Sequence, residues 1–154
     1  MADYLGDASR KPRKLRGLGA LTIGSDNIEI LRQGYEAVNR GDLGAVLGIV
    51  DREVEIRDRP EAPDPAVYRG HEGALAAFDV SADTFEELRF LPEEFVAGGD
   101  HVVVVIRLLG RGRGSGVPVE DRVVHLWTMR DGKAVALQVY SDVDDALEAA
   151  GLQR

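Results

Sequence analysis

The chain has 154 residues, 44% hydrophobic and 30% charged, which fits one domain with a sizeable core. Its formal charge of −8 disfavours nucleic acid and anionic membranes as partners, because phosphate contacts need a basic surface. No run of about 18 apolar residues offers a membrane helix, and the lack of Cys excludes disulfides, thiolate nucleophiles and Cys-based zinc sites. The charge is uneven: residues 1–25 carry Arg10, Lys11, Arg13, Lys14 and Arg16 against Asp3 and Asp7, a net +3 that leaves −11 for the rest. Residues 1–25 are therefore expected to be a flexible basic arm and residues 26–152 the domain. No apolar stretch with a cleavage site follows the basic residues, so the expected location is cytoplasmic.

Helical periodicity begins at Asp26, which makes a capping-box pair with Glu29, and Ile28, Leu31, Tyr35 and Val38 share a face. Asn39-Arg40-Gly41 stops that helix, and Asp42 caps a short second one carrying Leu43, Val46, Leu47 and Val50. Residues 53–58 form the first strand, and alternation sets Val54, Ile56 and Asp58 on one face. Pro60, Pro63 and Pro65 make a loop, and Arg69-Gly70-His71-Glu72 leads into a third helix with Ala74, Leu75 and Phe78 on one side. From Phe85 the pattern is strand. Residues 85–97 are bent or bulged at Pro92, and Gly98-Gly99-Asp100 is a turn. His101–Leu109 is apolar on both faces and so must be covered on both. Gly110–Gly116 is a hairpin tip, 117–130 and 133–141 pair through Arg130-Asp131-Gly132-Lys133, and a helix over 144–150 ends at Gly151. The predicted fold is α+β, a curved antiparallel sheet wrapped around about three N-terminal helices.

Among single residues, Asp58 stands out. A carboxylate ending an apolar row is either a functional acid or a structural one, paired with Arg107 or Arg59 or bonded to backbone at the Pro-rich turn. Arg107 interrupts an apolar strand and, if it points inward, needs a partner: Asp58, or a ligand's carboxylate or carbonyl. The three His are dispersed without metal-ligand spacing, so no metal is expected, and His71 reads as a solvent-facing helix start. The Gly-rich run at 110–116 lacks the strand–loop–helix context of a phosphate loop.

Several segments together resemble the nuclear transport factor 2-like superfamily, within it the SnoaL-like branch, over residues 26–152. They are Tyr35-Glu-Ala-Val-Asn39-Arg40-Gly41-Asp42-Leu43, Val54–Asp58, Tyr68-Arg69-Gly70, Trp127–Lys133 and Ala146–Leu152. The resemblance implies a cone whose curved sheet encloses an apolar pocket and whose outer face often builds a dimer; it leaves the activity open, since one fold hosts many functions. Relative to ketosteroid isomerases it puts Asp58 at the general-base position but Gly34 and Val124 where the two oxyanion donors stand, with Tyr35 one residue away. Relative to limonene epoxide hydrolases it keeps Arg107 but has Leu109 and Val139 at the acids, and Ile56 and Asp58 at the Tyr and Asn. The acid of SnoaL-type cyclases also falls near Val139.

The same register sends Val124, Leu126 and Val139 into the pocket and turns His125, Trp127, Gln138 and Tyr140 outward, a composition suited to a homodimer interface. The alternative is His125 as a pocket acid–base. The sequence thus predicts a cofactor-free homodimer binding a small hydrophobic molecule, with Asp58 and Arg107 as polar pair and Ile56, Val124, Leu126 and Val139 as walls. A second reading is a proton-transfer enzyme (isomerase, cyclase or hydratase-like) with Asp58 as base and Tyr35 or His125 as donor. A third is an interaction domain with a filled core.

Overall fold

The computed structural model describes residues 16–154, with side chains from residue 24 onward. Helix α1 runs Arg16–Asn39, so Asp26 lies inside it and the predicted start there is corrected. Gly17, Gly19 and Gly24 weaken the helical signal ahead of Asp26, yet extending a formed helix is far easier than nucleating one. Glu29, free of capping, accepts from Gln33 Nε2 at 3.2 Å. Of the expected basic arm, residues 1–15 lie outside the described residues.

Gly41 stops α1 as predicted: its φ is 76°, and the Gly41 and Asp42 amides close back on the Val38 and Ala37 carbonyls. Asp42 then caps α2 (Leu43–Ile49), its side chain accepting from the Ala45 amide at 3.1 Å. The chain continues through β1 (Val50–Arg57), β2 (Val67–Arg69), α3 (Gly70–Thr84), β3 (Phe85–Gly98), β4 (His101–Gly112), β5 (Pro118–Arg130), β6 (Lys133–Tyr140) and α4 (Val143–Ala150). The short strand β2 forms where the sequence shows only a Pro-rich loop and its exit.

The six strands make one sheet in the order β2-β1-β6-β5-β4-β3. Every neighbouring pair is antiparallel except β1 with β6, so the sheet is mixed rather than wholly antiparallel. A parallel pair needs a long crossover, and the chain from β2 through β5 supplies it. The inner face, with Val54, Phe95, Val102, Val104, Ile106 and Trp127, packs on Ile28, Leu31 and Tyr35 of α1. The outer face, with Val103, Val124 and Leu126, is covered by Ala146 and Leu147 of α4. That helix is capped by Asp142 and ended by Gly151 at φ 70°.

This packing corrects the facing of β5. Val104 pairs with His125 and Val102 with Trp127, so His125 and Trp127 share the inner face with Val139 and Leu137, their partners on β6. Val124 and Leu126 go outward. From Val123 to Trp127 every residue is buried, because the helical layer covers one face and α4 the other. A strand buried on both sides carries no alternation to read.

Candidate functional site

The inner face, α1, α2 and α3 line a partly open cavity of ≈ 220 Å³. Its walls are apolar: Leu31 and Val38 from α1, Val46 and Ile49 from α2, Ala74 and Phe78 from α3, Ile56 from β1, Phe90 from β3, and Leu137 and Val139 from β6. Gly34 also lines it, and a β-carbon there would collide with Ile49 Cδ1. The Ile49 side chain thus fills the space in front of Gly34. The polar side chains on this wall are Tyr35, Asp58, Tyr68, Ser81, His125 and Trp127.

Three of these form a buried chain. The indole Nε1–H of Trp127 donates to Tyr35 Oη at 2.8 Å, and Tyr35 Oη lies 2.8 Å from His125 Nδ1. Indole nitrogen only donates, so the Tyr35 oxygen accepts from Trp127, while the direction of its bond to His125 Nδ1 follows the tautomer of the imidazole. The rings pack closely: Tyr35 stacks on His125 with centroids 5.9 Å apart, and Trp127 sits edge-on to both. Burial pushes the Tyr35 phenol well above its ordinary range, partly opposed by the Trp127 hydrogen bond. Burial likewise lowers His125 to about 3, so its ring is neutral at physiological pH.

Asp58 lies just beyond β1. Its Oδ2 accepts from the Ala66 amide at 2.9 Å, its own amide donates to the Ala66 carbonyl, and its carbonyl accepts from Gln138 Nε2. These bonds close the Pro-rich loop, the backbone role weighed for it. Among the described residues Oδ1 has no hydrogen-bond partner, and Asp58 lines the cavity.

The other expected site residues divide. Ile56 and Val139 line the cavity with Asp58, Tyr35 and His125. Val124 and Leu126 do not, being under α4. Arg107 is also on the outer face, directly across from Arg122, with its Nε 3.5 Å from Glu120 Oε2. It pairs with neither Asp58 nor the cavity, because Val102, Val104 and Ile106 take the inward parity of β4. His125 and Trp127 are inside and cannot supply the expected dimer surface, whereas Gln138 and Tyr140, paired with Leu126 and Val124, do lie on the outer face, Tyr140 packed beside α4. His71 is half-buried, with Nε2 3.0 Å from the Val50 carbonyl oxygen. Phe90 and Trp127 were missed as cavity residues; the signal for Trp127 was its two-residue spacing from His125, once His125 is known to face inward.

Among the described residues no group of three or more His, Cys, Asp or Glu is placed to hold a metal ion, and no helix is long and apolar enough to cross a membrane. No curated protein matches the chain in sequence. In solved structures it is similar to an NTF2-like protein from Burkholderia pseudomallei K96243, with 24% identity, a TM-score of 0.69, and 80% of this chain and 96% of that one covered. It is similar to TerC, a structure co-crystallised with polyporic acid, at 27% identity and TM-score 0.69 over 80% and 97% of the two chains. An NTF2-like protein from Burkholderia xenovorans LB400 follows at 27% identity and TM-score 0.65, with 82% and 96% covered. The model of the SnoaL-like domain matches residues 31–137, from the face of α1 that bears Tyr35 to Leu137 on β6, and the chain belongs to that family.

Proposed function

We propose that the cavity binds a small, largely apolar molecule, with Asp58 and His125 as its polar contacts. The observation that carries this reading is a largely apolar cavity lined by one carboxylate and one imidazole, the usual composition of a ligand site. The volume of ≈ 220 Å³ exceeds the roughly 150 Å³ cavity known to take benzene, so a bicyclic molecule is a suitable size. TerC, with the same fold and 27% identity, was crystallised with an organic molecule, polyporic acid. Titration of the isotope-labelled protein with 1-tetralone tests the reading: amide and methyl shifts should centre on Ala74, Leu137 and Val139. Shifts scattered over the surface, or none, would contradict it.

One observation favours a second reading, proton transfer: a carboxylate and an imidazole line the same cavity, where Asp58 would be the acceptor and His125 the donor. Asp58 would take a proton from the carbon next to a ligand carbonyl while His125 donates a hydrogen bond to the oxygen that gains charge. In deuterated water, 1-tetralone would then exchange its α-hydrogens faster with wild type than with Asp58→Asn. Equal rates would refute catalysis while leaving binding intact.

A further inference from the structure

We infer that the cavity selects neutral ligands bearing a carbonyl-type oxygen over carboxylates, because Trp127 and Tyr35 hold His125 as a fixed neutral Nε2–H donor. The inference rests on the binding reading above and names the class of ligand.

The argument is one of counting hydrogens. Tyr35 Oη accepts from Trp127 Nε1 and has one hydrogen to give. Its other neighbour at 2.8 Å is His125 Nδ1. If Nδ1 carried a proton, both neighbours would donate to the phenolic oxygen, and the phenol's own hydrogen would be left without an acceptor in a buried site, an arrangement disfavoured by about tenfold or more. Nδ1 is therefore the acceptor, and the neutral ring carries its proton on Nε2. Among the described residues nothing bonds Nε2. The sealed and unpartnered side-chain nitrogens and oxygens do not include it, so Nε2 keeps accessible surface on the wall it lines.

The surroundings keep that donor uncharged. Phe90 of β3 packs on the ring, Val139 faces it from β6, and Tyr35 and Trp127 close the other sides. Among the described residues the ionisable groups sharing the cavity with His125 are Asp58 and the two phenols, and neither Lys nor Arg lines it. A ligand carboxylate would meet no cation, would lose its hydration, and would face Asp58. A ketone, aldehyde, ester or quinone oxygen would meet an N–H already oriented on an otherwise largely apolar wall. The depressed basicity of His125 agrees with this geometry. Tyr35 and Trp127 are positioning residues, since they act on the ligand through the imidazole.

Two measurements test this. Histidine-selective 15N NMR of the wild type between pH 5 and 8 should show the proton of His125 on Nε2, a bare Nδ1 and no titration. A proton on Nδ1, or a ring that titrates in this range, would overturn the inference. Affinities for 1-tetralone and tetralin are then compared in wild type and His125→Phe, which removes the donor and keeps a ring. The ketone-to-hydrocarbon ratio should fall about tenfold in the variant, the worth of one desolvated hydrogen bond. Tetralin-1-carboxylate should bind the wild type at least tenfold more weakly than the ketone. An unchanged ratio, or a carboxylate that binds as well as the ketone, would overturn the selectivity. Should His125→Phe not fold, the wild-type NMR signal decides. If neither tetralone nor tetralin perturbs a cavity residue, the binding reading fails, while the wild-type spectrum still decides the state of His125.

Discussion

Replacing Tyr35 with Phe removes one oxygen and keeps the ring, which makes it a sharp test of the buried chain. That oxygen joins Trp127 Nε1 and His125 Nδ1 at 2.8 Å each, and all three side chains are under a tenth exposed. Without it a buried N–H and a buried ring nitrogen lose their partners, each loss costing roughly 1–3 kcal/mol. The adjoining cavity lets water re-solvate part of this, so the expected loss is about 2–4 kcal/mol. For a domain of this size that lowers the midpoint of melting by roughly 5–15 °C. Urea unfolding followed by the fluorescence of Trp127, the single tryptophan, reads the change at the site itself. The midpoint concentration should drop with the slope unchanged. A loss below about 0.5 kcal/mol would refute the bridging role, since it is smaller than one ordinary hydrogen bond.

Acid should act on the same group. The folded-state pKa of His125 is lowered from 6.5 to about 3, so between those values the unfolded chain binds more protons. This contribution to stability is present in full above about pH 6.5 and fades as pH falls, at nearly 1.4 kcal/mol per pH unit. Between pH 7.5 and 5 it amounts to about 2 kcal/mol, and His125→Asn should flatten the measured difference by that much; an unaltered slope would contradict the burial. Gly34→Ala should push the Ile49 δ-methyl into the cavity, since that is the atom its new carbon meets. Calorimetric titration should then show weaker 1-tetralone binding with a stability change under about 1.5 kcal/mol; unweakened binding would place the ligand elsewhere. Arg107→Ala should leave tetralone affinity unchanged and stability within about 1 kcal/mol, because it lies on the outer face away from the cavity, its Nε makes no hydrogen bond among the described residues, and its partner Glu120 is solvent-exposed. A loss of affinity would return Arg107 to the site.

What can be read along the chain is what is decided locally. The Gly41 stop, the Asp42 cap, the turn at Asp131-Gly132 and the Gly151 terminus depend on backbone conformations that a few neighbouring residues determine. They sufficed for the order of elements, most of the boundaries and the α+β class. The alternation of Val54, Ile56 and Asp58 similarly brought Ile56 and Asp58 to the cavity, because β1 has an apolar face and a polar one. The strands β4 and β5 have no such contrast. With α4 over one face and the helical layer over the other, both faces are apolar, and a one-residue error in facing exchanges His125 and Trp127 for Val124 and Leu126. The same limit misplaced Arg107, whose strand also lacks a polar stripe before it.

The sequence by itself determined most of the elements, though not β2 or the start of α1, together with the sheet-and-helix class and the acid at the end of β1, since caps, turns and period-two patterns act over a few residues. Tertiary structure alone decided the parallel pairing of β1 with β6, the covering of the outer face by α4, and the meeting of Tyr35 with residues 90 and 92 positions further on. A hydrogen bond at that separation leaves no local periodicity. It exists because packing on both faces of β5 turns His125 and Trp127 inward, where a single phenolic oxygen satisfies both.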